Sequence, residues 1–117
     1  MMFDRNVRIM ADEIGYDQII TAELKQFLQK QDLVVANLEG PITQNKSLSA
    51  GTKPGDQNNT RFTFDPIIAS WLFNHNIKLV NLGNNHAYDF GVEGATSTQQ
   101  FLNENNIQFF GTILAIF

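Results

Sequence analysis

Ile77-Lys78-Leu79-Val80-Asn81-Leu82-Gly83-Asn84-Asn85-His86-Ala87-Tyr88-Asp89-Phe90-Gly91 is the stretch whose reading decides the fold. Residues 77–82 form an apolar run of strand length, and the polar residues after it put a carboxamide, an imidazole and a carboxylate on one turn. A helical pattern follows over residues 91–105, with Phe101 and Leu102 facing inward. In an open sheet with helices on its faces, ligands sit at the carboxyl ends of strands, so such a turn can address one bound atom.

Working outward, a second polar cluster, Asn37-Leu38-Glu39-Gly40-Pro41, stands in the same place after the apolar run Asp32-Leu33-Val34-Val35-Ala36. Asn and Asp also make turns unaided, because their side chains hydrogen-bond their own backbone. One cluster is therefore open to either reading, whereas two at equivalent strand ends favour a site. Glu39 carries most weight: a carboxylate between an apolar strand and a Gly-Pro turn has few structural duties and is a natural ligand for a hard or borderline cation.

The remaining elements fall into the same alternation. Residues 17–31 place Ile20, Leu24, Phe27 and Leu28 on one helical face. The run at 32–36 reads as a strand buried on both faces of a parallel sheet. Residues 44–60, rich in Asn, Ser, Thr and Gly, read as a long surface loop, and residues 62–64 as a brief extended segment. Asp65-Pro66 supplies an N-cap and a first-turn proline for a helix that runs through Trp71 and Leu72 to His75. Residues 107–111 make a third strand, and the apolar residues 113–117 read as a buried strand cut off at the chain end. Residues before this series form only a polar opening. Strand, helix, strand, helix, strand is the pattern of a parallel sheet with right-handed βαβ crossovers, an α/β fold in a single unit over residues 1–117.

The chain has 117 residues, 43% of them hydrophobic and 17% charged, which is the composition of a compact globular domain. With a net charge of -4 and Lys and Arg scattered singly, there is no basic stripe for nucleic acid. Absence of cysteine leaves any metal to oxygen and imidazole ligands. No apolar run approaches the roughly 20 residues that span a bilayer.

If Glu39 and Asn85 converge on a divalent cation, His86 beside it has the chemistry to donate a proton to a leaving-group oxygen or to polarise a phosphoryl oxygen. Asp89, three residues on, either fixes the His86 tautomer or caps the helix starting near Gly91, and the sequence leaves both open. His75 reads as a surface or helix-terminal residue rather than a ligand. Trp71, Phe62, Phe64, Phe73 and Phe101 read as core packing rather than a stacking platform. No glycine-rich phosphate cradle, nucleophile elbow or dinucleotide fingerprint is present.

Taken together, the block over residues 32–43 with its Asn37-Leu38-Glu39 and the block over residues 81–91 with its Asn84-Asn85-His86 resemble the capsule-synthesis protein CapA family, poly-γ-glutamate biosynthesis proteins related to calcineurin-like metallophosphoesterases. Phe64-Asp65-Pro66 and residues 98–111 fit the intervening parts, so the resemblance covers nearly the whole chain. It implies part of a metallophosphatase-like, four-layer α/β sandwich. It also implies Glu39 as a bridging metal ligand, Asn85 as a metal ligand, and His86 as the catalytic acid or phosphate-contacting residue; Asp89 stays the accessory candidate that its spacing from His86 suggests. The cofactor would be a divalent ion (Mn, Zn or Fe), the partner a capsule polymer or phosphoester substrate, and the setting the cell envelope.

Two departures accompany the resemblance. The family's Gly-Asp metal-binding pair precedes a segment like Met2-Phe3-Asp4-Arg5, and further histidine ligands follow the third strand; neither is in this sequence. The expectation is an N-terminal fragment truncated at both ends, inactive by itself and unable to bind metal tightly. The competing expectations are a non-catalytic polymer-handling or assembly component of the capsule machinery, and a stand-alone α/β binding module.

Overall fold

The computed structural model describes residues 1–111; the expected strand at 113–117 lies outside the described residues. Among the described residues four α-helices and three short strands follow in the order α1 (Arg5–Ile14), α2 (Ala22–Gln29), β1 (Val35–Asn37), α3 (Ile67–Asn74), β2 (Leu79–Asn81), α4 (Gly91–Glu104) and β3 (Gln108–Phe110). The strands form one parallel sheet in the order β1-β2-β3, with Ala36, Val80 and Phe109 in register across it. This is the α/β arrangement with βαβ crossovers that the alternation of elements implies.

Two right-handed crossovers that step in the same direction across a sheet put both helices on one face. The burial follows that rule. Val80 is fully buried on the covered face among Ile68, Leu72 and Leu102, whereas Val35 and Phe110, on the other face, are each 49% exposed. β1 is therefore not buried on both faces, and it starts three residues later than the apolar run suggests, leaving Leu33 exposed. An apolar run marks a strand without saying which of its faces is covered.

Both crossover helices end in the same way. Asn76 and Asn106 take left-handed conformations (φ 63° and 59°) just past α3 and α4, where asparagine is one of the few tolerated residues. The next residue, Ile77 or Ile107, sends its N–H back to Leu72 or Leu102 over 2.9 Å, and both isoleucines are buried. This closes the helix and starts the strand in one step. Asn76 also donates to Leu28 O and Gln31 O, tying the end of α2 to the end of α3.

Other readings need correction as well. The polar opening contains α1, an amphipathic helix that buries Ala11. The expected helix over residues 17–31 is a short 3-10 turn followed by α2, whose N-cap Thr21 accepts from Leu24 N; a large part of its apolar face, Leu24 and Phe27, is exposed. The long loop is not simply laid over the surface. Ser47 donates to the fully buried Asp4, and Ser49 accepts from the backbone N–H of Arg5. His75 does cap α3 but is buried, stacked on Trp71 at 4.1 Å. No helix among the described residues is long and apolar enough to cross a membrane.

Candidate functional site

The two polar clusters leave β1 and β2 at the same, carboxyl end of a parallel pair, and backbone bonds fix how they leave. Leu38 N–H donates to Asn81 O at 3.0 Å, extending the ladder by one residue. Glu39 N–H donates to Met1 O at 2.9 Å, and the Met1 amino group donates to Asn37 O, so the first residue lies along the outer side of this strand end. Gly40 follows because nothing larger fits: a Cβ there would stand 2.7 Å from the Phe64 ring. Ile42 and Phe64 then make an isolated parallel bridge that folds the long loop back onto the rim.

Asn84 joins the clusters. Its Nδ2 donates to Leu38 O at 2.8 Å and to Asn37 Oδ1 at 3.1 Å, while its Oδ1 accepts from His86 N at 3.0 Å. One carboxamide thus makes the local turn that asparagine is known for and also clasps the neighbouring strand end. Asn81 makes a similar local turn, accepting from Gly83 N at 2.9 Å. Asn84 was not among the nominated ligands; the signal for it is the Asn-Asn pair, which does not say which of the two faces the sheet.

His86 is held on two sides. Its Nδ1 donates to Asp89 Oδ2 at 2.8 Å, and the two side chains are only 14% and 15% exposed, so water competes little for this bond. Asp89 Oδ2 also accepts from Phe62 N at 2.8 Å, and Asp89 O accepts from Arg61 Nε at 3.0 Å. Asp89 caps nothing: the N-cap of α4 is Phe90, without a side-chain bond. With the proton of the neutral ring on Nδ1, Nε2 carries the lone pair, in contact with solvent and with no partner among the described residues. The ring of Phe62, itself buried, lies 4.3 Å from the imidazole. Phe62 is thus a core residue, as its pattern implies, and a wall of the site besides.

The nominated ligands behave differently. Glu39 is half-buried and Asn85 exposed, and neither side chain makes a hydrogen bond or ion pair among the described residues. Carboxylate and amide oxygens left free on adjacent strand ends suit a hard divalent cation. Among the described residues there is no group of three or more His, Cys, Asp or Glu able to hold a metal.

The family model for the bacterial capsule synthesis protein PGA_cap matches residues 1–115. The chain belongs to the PGA_cap family. The match covers both polar clusters and every α-helix and strand among the described residues, and membership assigns the chain to capsule synthesis. Among curated proteins none matches it. Within this PGA_cap chain the shared rim of β1 and β2 is where free oxygen donors and an oriented imidazole lie on neighbouring strand ends.

Proposed function

We propose that this chain contributes one rim of a divalent-metal-dependent hydrolytic centre of the metallophosphoesterase type, acting on an anionic polymer such as poly-γ-glutamate or on a phosphoester during capsule synthesis. Glu39 and Asn85 are the metal ligands, His86 is the catalytic acid, and Asp89 positions it. The observation that carries this reading is the Asn84 clasp, which fastens the loop bearing Asn85 and His86 to the strand end bearing Glu39.

A bound divalent cation would supply charge neutralisation at the scissile group and a hydroxide at neutral pH. The rest is the work of the side chains. Glu39 and Asn85 contribute oxygen donors without first breaking a protein hydrogen bond. His86 acts as the acid when Nε2 also carries a proton: Asp89 stabilises that imidazolium through Nδ1, and delivery of the Nε2 proton to the leaving oxygen returns the ring to its neutral form. Phe62 shields one side of the ring and keeps its orientation fixed.

Glu39→Gln, Asn85→Ala and His86→Ala, each introduced into a bacterium whose capsule depends on the protein carrying this sequence, should abolish capsular polymer processing while the protein still accumulates. Normal capsule in all three strains would refute the reading and leave polymer handling without catalysis. In vitro, titration of the 117-residue chain with manganese should give no tight stoichiometric binding, since two donors leave an ion mostly hydrated.

A further inference from the structure

Arg5 stands close to this rim, and nothing in the proposed chemistry uses it. Its backbone takes φ 54°, a left-handed conformation that costs a non-glycine residue energy and persists only where its surroundings hold it. Those surroundings are visible. The Arg5 N–H donates to Ser49 Oγ at 3.2 Å, Nε donates to Asn59 O at 2.6 Å, and the guanidinium carbon sits 4.8 Å from the centre of the Phe62 ring. Phe62 is the residue whose ring also lies against His86.

A guanidinium held so firmly would ordinarily be matched by a carboxylate. Among the described residues Arg5 is in no ion pair. The nearest acid in sequence, Asp4, is buried and spends its oxygens on Ser47 Oγ and Thr63 N. Among the described residues the two terminal nitrogens of Arg5 have no hydrogen-bond partner, and they remain in contact with solvent. Their planar fork matches two oxygens of one anionic group.

We infer that Arg5 is an anion anchor: its free Nη groups bind a carboxylate or phosphate oxyanion of the substrate and hold it beside His86, with Phe62 as the platform shared by the two. The inference rests on the proposed placement of the chemistry at His86, but the binding step needs neither metal nor turnover. An extended anionic substrate would reach from Arg5 to His86 over the buried Phe62 ring that both pack against, one charged group on Arg5 and the scissile bond within reach of His86 Nε2. The long loop takes part by fixing Arg5 through Ser49 and Asn59.

The test is titration of the isotopically labelled chain, without metal, with inorganic phosphate in one arm and a short γ-linked glutamate peptide in the other. Saturable shifts at the Arg5 Nε–H, the Phe62 amide and the His86 ring support the anchor, and the arm that binds more tightly names the anion. Arg5→Gly should fold, because glycine accepts φ 54° without strain, and should weaken binding about tenfold or more. Arg5→Lys should also bind more weakly, since lysine keeps the charge but not the fork. Circular dichroism checks that both variants keep their helices. Unchanged binding in folded Arg5→Gly, or shifts confined to other basic residues, would overturn the inference. Anion binding that depends on Arg5 while His86→Ala leaves the capsule intact would sink the hydrolytic reading and spare this one.

Discussion

Asn84 and Asn85 are neighbours with the same side chain and opposite circumstances. The first spends its carboxamide on three hydrogen bonds, two of which join the strand ends, and the second makes none among the described residues. The same division runs through the rim: Asp89 is engaged by His86 and Phe62, whereas Glu39 is unengaged. Side chains with partners build the rim, and on the proposed function those without them are what it offers to a ligand. Stability and function should therefore separate residue by residue.

Asp89→Ala should break the built part most severely. It strands the N–H of buried Phe62 and the Nδ1–H of His86 together, and leaving buried donors unpaired should cost about 3 kcal/mol, read from the urea midpoint. Asn84→Ala should follow at about 2 kcal/mol, whereas Asn85→Ala and Glu39→Gln should change stability by less than about 0.5 kcal/mol while abolishing capsule processing. Equal stability losses at 84 and 85 would erase the distinction. Gly40→Ala tests how closely the rim is packed: with its Cβ 2.7 Å from Phe64, it should cost about 1–3 kcal/mol.

The smallest effect lies away from the rim. Burial pushes the Tyr16 phenol up from 10.0 to about 12, with Arg8 opposing the shift. Because the folded state favours the neutral phenol, its contribution is whole below pH 10 and is lost as pH rises toward about 12. Alkaline titration of tyrosinate absorbance should show a late-ionising component that is absent in Tyr16→Phe, and unfolding midpoints should fall over the same interval.

The same contrast explains what could be read without coordinates. β2 and α4 stand out because an apolar run, a polar turn and a long helical pattern follow one another directly. α3 begins within two residues of its Asp65-Pro66 signal, and Asp65 Oδ1 does accept from Ile67 N. α1 escapes notice because its stripe of Val7, Met10, Ala11 and Ile14, though helically spaced, is narrow and set among charges. Of the rim, residue types and strand-end positions are legible, and so is the closeness of Asp89 to His86. The clasp by Asn84, the Phe62 wall and the place of Arg5 are not, since each depends on contacts between residues far apart in sequence.

The central claim is that Glu39, Asn85 and His86 face one shared bound ion. Adding substoichiometric manganese to the labelled chain tests it directly, because a paramagnetic ion broadens nearby nuclei even when it binds weakly. Signals of residues 39, 85 and 86 should broaden together, while those of α2 stay sharp. Broadening at only one of the two strand ends, or spread evenly over the acidic surface, would contradict the account.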